Sequence, residues 1–202
     1  MLPTDIGLDT DAVLKRLHQI ILIASTLLIS WLGMQAMHES GHVLGAWLTG
    51  GRVARVVLNP LTFSRTDLAA NPHPLVVVWA GPIIGALAPL ILWTLLARLR
   101  LRGAFVARFV AGFCLIANGL YIGVGAFDRV GDCGDMLRHG SALWQLWLFG
   151  TAMTPLGIVL WHRQGIHFGL GNARGDVDRR VAVGALTLSI TLLAACFLVG
   201  GE

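Results

Sequence analysis

Five apolar runs dominate this chain, at about 18–48, 74–97, 104–127, 141–161 and 181–199. A hydrocarbon core about 30 Å thick takes about 20 helical residues to cross, and each run is close to that length or longer. Only 13% of the 202 residues are charged and 55% are hydrophobic, whereas a soluble domain carries about 25% charge. The expected fold is therefore an all-α polytopic membrane protein in the lipid bilayer. It has about five transmembrane helices and a single membrane-embedded domain over 1–202. The core is expected at 18–140, with additional spans at 141–161 and 181–199.

Between the first two runs lies GGRVARVVLNPLTFSRTDLAANPHP. Gly50-Gly51 ends a helix, RVARVVL alternates polar and apolar residues as a strand does, and Asn59-Pro60 signals a turn. A small β-hairpin is expected there. Unpaired backbone is costly in lipid, so a hairpin dipping into it would need protein cover.

The net charge is +4, and Lys15 is the only lysine. The arginines sit in short loops between apolar runs. That is the signature of membrane topology rather than of nucleic-acid binding, and no nucleic acid is expected as a partner. Lys15 and Arg16, then Arg98, Arg100 and Arg102, then Arg163, Arg174, Arg179 and Arg180 fall on one side of a five-span chain. The excess of positive charge makes that side, with the N-terminus, cytoplasmic in a multi-pass cell-membrane protein, bacterial inner membrane being the expected setting. Arg52, Arg55 and Arg65 lie on the other side. The acidic start MLPTDIGLDTDAVLKR lacks the basic and short apolar regions of a signal peptide. Cys114, Cys133 and Cys196 show no pairing pattern, so neither a disulfide framework nor a cysteine metal site follows. His18 is expected to cap the start of the first span. Trp79, Trp144, Trp147 and Trp161 fall near span ends, as an interfacial belt does.

Inside the first run sits MHESGH. The chain holds two glutamates, Glu39 and Glu202, and one of them is here. Ionisable groups within a span are costly and functional by default. On a helix, His38 and His42 are i and i+4 and share a face, so the pair can hold one zinc ion. Glu39 stands beside the first ligand and can act as general base on a zinc-bound water. The bland alternative is a pair of interfacial histidines with Glu39 among lipid headgroups.

Zinc needs a third protein ligand. AFDRVGDCGDMLRHG offers Asp128, Asp132, Asp135 and His139. Odd-numbered spans run the same way, so Glu39, near the end of the first, and this cluster, after the third, fall on one membrane face. Asn118, within the third run, could hydrogen-bond across helices or contact a substrate backbone. Gly81-x-x-x-Gly85 reads as helix packing, as do Gly119 and Gly123.

These residues resemble the site-2 protease family, the intramembrane zinc metalloproteases, and in particular its short bacterial M-fifty-B-like members. MHESGHVLGAWLTGGRVARVVLNP looks like the first core helix and following hairpin, WAGPIIG like the Ala-Gly-Pro segment of the next span, and GDCGDM like the motif whose aspartate completes the zinc site. The likeness covers about residues 30 to 140. It implies His38 and His42 as zinc ligands, Glu39 as the catalytic glutamate, and Asp132 as third ligand, followed by Asp135 and then Asp128. Family members carry Asn-x-x-Pro and Leu-Asp-Gly on the third core helix. Here Asn118 lacks that proline and the aspartates lie farther along. The implied activity is hydrolysis of peptide bonds in a membrane protein or peptide substrate. The other readings are a family member without activity that binds zinc or a partner, and a small ion transporter that uses His38, Glu39 and the aspartates as its path.

Overall fold

The computed structural model describes residues 10–61 and 63–200. The start of the acidic N-terminal segment, residues 1–9, and Glu202 lie outside the described residues. Six α-helices are described: α1 (Thr10–Leu48), α2 (Pro74–Arg98), α3 (Ala104–Asp128), α4 (Gly131–Arg138), α5 (Leu143–Trp161) and α6 (Arg179–Gly200). Two strands, β1 (Arg52–Val57) and β2 (Arg65–Ala70), pair antiparallel between α1 and α2. Five of the helices are long and apolar enough to cross a membrane. The two-stranded hairpin lies where the turn signals put it.

α1 is longer than its apolar run. Its 39 residues span about 58 Å at 1.5 Å per residue, and its first turns are exposed. His18 therefore caps nothing. It sits inside the helix, its Nδ1 2.7 Å from the Leu14 carbonyl. The helix stops where Gly50 takes a φ of 76° and the Gly51 amide donates back to the Ala46 carbonyl at 2.7 Å. Only glycine adopts that backbone without strain.

Small residues set how closely the helices approach. A Cβ on Gly41 of α1 would run into the Ala80 carbonyl of α2, so these two backbones touch. α3 and α5 meet in the same way, with Gly123 against Gly150. Trp161 stacks on Phe109 at 4.9 Å and donates its indole N–H to the Phe109 carbonyl. Pro82 and Pro89 are accommodated within α2, and Pro155 within α5. One buried cluster, including Val78, Ile122, Met136 and Leu146, joins α2, α3, α4 and α5. A second, including Leu22, Ile29, Phe168 and Ala182, joins α1 and α6 to the loop before α6.

The basic loops gather at one end. Gln19 donates to the Phe168 and Gly169 carbonyls, both at 2.9 Å, and Arg102 lies 4.0 Å from Asp178. The hairpin and α4 lie at the other end, beside the last turns of α1 and α3.

The segment after α3 contains the short helix α4. Arg129, at φ 56°, and Gly131, at φ 57°, turn the chain by two left-handed residues. α4 then buries Cys133, Gly134 and Met136 on one side. Gly131 and Gly134 lie on either side of Asp132, where glycines would let backbone pack closely around a metal. Gly131 instead abuts the Tyr121 hydroxyl, and a Cβ on Gly134 would strike the Arg129 carbonyl. Both glycines fit α4 against the end of α3.

Candidate metal centre

His38 and His42 share one face of α1, and α4 carries Asp132 to that face. The Asp132 Oδ2 is 2.8 Å from His38 Nε2 and 3.4 Å from His42 Nε2, and the two Nε2 atoms are 3.1 Å apart. Span parity anticipated that these segments share an end. The fold brings them into contact.

The partners on the other ring nitrogens decide what this trio can hold. His38 Nδ1 lies 2.8 Å from Asn118 Oδ1, and the Asn118 amide nitrogen is itself committed to the Cys114 carbonyl at 2.9 Å. His42 Nδ1 lies 2.9 Å from the Val77 carbonyl. Both partners are acceptors, so both Nδ1 atoms carry the proton and both Nε2 atoms present lone pairs. Three acceptors then converge: two imidazole nitrogens and a carboxylate oxygen. Only a cation, a proton or a metal ion, reconciles them.

A tetrahedral metal with bonds of about 2.0–2.1 Å sets its ligand atoms roughly 3.3 Å apart. The separations of 2.8, 3.1 and 3.4 Å are close to that. The residues fit a metal ion, and three ligands leave a fourth position open.

Asp132 arrives as an anion. Burial opposes its ionisation, yet a proton shared with the Nε2 atoms of His38 and His42 outweighs it and holds the carboxyl well below the usual carboxylate range. Its neighbour Cys133 is no competing ligand. Burial pushes that thiol up to about 11, and its Sγ rests 3.3 Å from the Tyr121 carbonyl; a neutral thiol is a poor metal ligand.

Glu39 stays outside the trio. Its Oε2 accepts a hydrogen bond from the Thr66 hydroxyl of β2 at 2.6 Å, and the residue is buried. Glu39 and the trio line one cavity of about 290 Å³, walled on the hairpin side by Thr66, Leu68 and Asn71. The strand over the site is thus β2. No strand pairs with the outer edge of β2 among the described residues.

The remaining candidates separate cleanly. Asp135 and His139 line the cavity, but Asp135 is paired with Arg138. Asp128 is exposed at the last position of α3. Asn118 is 1% exposed and spends its side chain on His38 and Cys114, so it orients a ligand from behind. Partners of this kind tune metal binding. Asn118→Ala is expected to weaken metal affinity about 10–100-fold without unfolding the chain, read by competition with a chelating dye. An unchanged affinity would remove the orienting role.

Sequence reasoning did not find Thr66, the Val77 carbonyl or Tyr121, whose hydroxyl accepts the Asp132 amide at 3.2 Å. No local pattern marks any of them. Gly81 and Gly85 were noticed, though only as packing residues. A Cβ on Gly81 would clash with the His42 ring, and one on Gly85 would press on the Asn118 amide. The Gly-x-x-x-Gly face of α2 is the rear wall of the centre.

No family model, curated protein or solved structure matches the chain. What the fold and the site define is a chain with five membrane-length helices and a His-His-Asp group, its histidines buried and its aspartate half-buried, able to hold a metal ion.

Proposed function

We propose that the chain is an intramembrane zinc metalloprotease of the site-2 protease type, which hydrolyses peptide bonds of membrane-associated substrates. One observation carries the reading: the Nε2 atoms of His38 and His42 meet Asp132 Oδ2 in the cavity that Glu39 also lines. A His-His-carboxylate set also suits iron. The glutamate within His-Glu-x-x-His favours zinc and hydrolysis.

His38, His42 and Asp132 would hold Zn2+, and the ion would supply Lewis-acid polarisation of a carbonyl oxygen and a nucleophilic water near neutral pH. Glu39, steadied by Thr66, takes the proton from the attacking water and delivers it to the leaving amine. Asn118 and the Val77 carbonyl keep both imidazoles in the Nδ1–H form throughout. The cavity walls from α2, α3 and the hairpin limit access of bulk water.

The chain's outer surface supports a membrane setting. Leu27, Leu44, Ile91, Leu95, Leu120 and Leu148 are exposed along the helices, and apolar surface of that extent faces lipid. The hairpin tip is apolar as well, with Leu61 and Phe63 exposed. The Trp31 indole donates to the Pro60 carbonyl at 3.2 Å. Trp31 lies two turns before Glu39, roughly 12 Å along the helix axis, so the tip reaches into the bilayer with α1 as its cover. A substrate helix must unwind to expose a peptide bond, and the outer edge of β2 can receive the unwound segment as an added strand.

The test uses the full chain in lipid nanodiscs with a 20-residue Leu/Ala peptide carrying a central Gly-Ser-Gly. One zinc per chain and two peptide fragments by mass spectrometry are the expected result. Cleavage should stop on chelation and return with Zn2+ but not Mg2+. Cleavage that persists in the metal-stripped protein would overturn the reading.

A further inference from the structure

We propose that Gln35 binds the substrate backbone: its side-chain amide donates to a main-chain carbonyl of an extended apolar peptide segment lying in the groove between α1, α3 and the hairpin tip. The inference rests on the protease reading and states where the substrate of that site lies.

The groove has a volume of about 550 Å³. Trp31 and Met34 of α1, Ala117 of α3, Phe63 of the hairpin and Val130 give it apolar walls. It runs into the catalytic cavity, since His38, Glu39, Ser64, Tyr121 and Gly131 line both. An occupant of the groove therefore lies against the metal centre.

Gln35 is one of the polar residues on the approach, with Ser64, Asn118 and Tyr121. It is 4% exposed, and its Nε2 is buried with no hydrogen-bond partner among the described residues. A buried donor left unsatisfied is destabilising, which an apolar residue at this position would avoid. Gln35 stands at i and Glu39 at i+4, so both face the same side of α1. One turn separates them, about 6 Å along the axis. An extended peptide rises about 3.3 Å per residue, so the carbonyl that Gln35 binds lies about two residues from the bond beside Glu39.

The chemistry selects the occupant. A helix uses its own carbonyls internally and offers none to Gln35, whereas an unwound chain does. At the far side of the catalytic cavity, Asn71 Oδ1 is likewise buried without a partner among the described residues. A donor before the metal centre and an acceptor beyond it match a peptide backbone, which carries both. A lipid tail would satisfy neither.

Gln35→Met keeps the side-chain length and removes the amide, and Gln35→Leu repeats the change with a different shape. The probe is a fluorescent 20-residue Leu/Ala peptide with a central Gly-Ser-Gly, offered to the zinc-loaded full chain in nanodiscs. Its Kd is read by anisotropy in the Glu39→Gln background, and KM and kcat in the active protein. Each Gln35 variant should raise Kd and KM about tenfold, the worth of one strong hydrogen bond. Expected alongside are a kcat within about threefold, unchanged zinc content, and a Tm equal to or above that of the parent. A merely structural glutamine would lower Tm instead. An unchanged Kd and KM, or a peptide that does not bind the parent chain at all, would overturn the assignment, and continued cleavage in either case would leave the protease reading standing. Binding that depends on Gln35 without any cleavage would uphold the groove and remove the protease reading.

Discussion

Glu39→Gln abolishes cleavage and leaves the metal in place: that is the expected result. The substitution exchanges a carboxylate for an amide of the same shape. The amide oxygen can still accept the Thr66 hydroxyl that Glu39 Oε2 accepts at 2.6 Å. No ligand of the trio is touched, because Glu39 lies outside it. What disappears is a base able to take a proton from water, and general-base catalysis contributes about 10²–10⁴-fold. Removing a charge from a buried residue also lightens its desolvation cost, so Tm should hold or rise. The checks are zinc content by atomic spectroscopy and the rate of peptide cleavage by mass spectrometry. A variant that cleaves within tenfold of the parent would exclude Glu39 as the base. A parent that binds zinc in this trio and cleaves nothing would instead favour the binder reading.

Gly81→Ala should damage the metal centre through a single added methyl group. In an ordinary helix interior the substitution helps, since alanine is favoured over glycine by about 1 kcal/mol. At Gly81 the added Cβ would clash with Cε1 and Nε2 of the His42 ring. The ring must then turn, which breaks the Nδ1 contact to the Val77 carbonyl at 2.9 Å and swings Nε2 off Asp132. The alternative is for α2 to move away from α1, which the contact of Gly41 with the Ala80 carbonyl shows to be tightly packed. Overpacking of this sort costs about 1–3 kcal/mol, and misplacing a ligand should cost metal affinity at least 10–100-fold. Gly184→Ala in α6 is the control, since a Cβ there meets nothing within 4 Å. Dye competition for zinc, run on both variants, separates the cases. Equal affinities would mean that α2 yields and that His42 is not clamped.

The two substitutions draw on different parts of the sequence. The role proposed for Glu39 was readable because its motif is local. His38, Glu39 and His42 lie within two helical turns, and helical spacing alone puts both histidines on one face. Gly81 was readable only as a small residue at packing spacing. Nothing in WAGPIIG says that the neighbour it must clear is the His42 ring. Asn118 shows the same limit. A polar residue in a span announces a polar partner, but whether that partner is a substrate or His38 depends on how α3 sits against α1.

By itself, then, the sequence determined the helical runs, the hairpin between the first two, and a helix face carrying two histidines. These follow from hydrophobicity and periodicity, which operate between near neighbours along the chain. It also determined that the acidic segment after α3 lies at the same end as His38, because that depends only on the parity of the spans. Residue pattern left Asp128, Asp132 and Asp135 open, and only the family likeness ranked Asp132 first; the tertiary structure brings Asp132 to the histidines across 94 positions of sequence. The choice turns on two left-handed residues and one short helix, which rotate one aspartate inward and leave Asp128 exposed and Asp135 paired with Arg138. Composition treats the three aspartates alike, and the angle at which α4 docks on the end of α3 tells them apart.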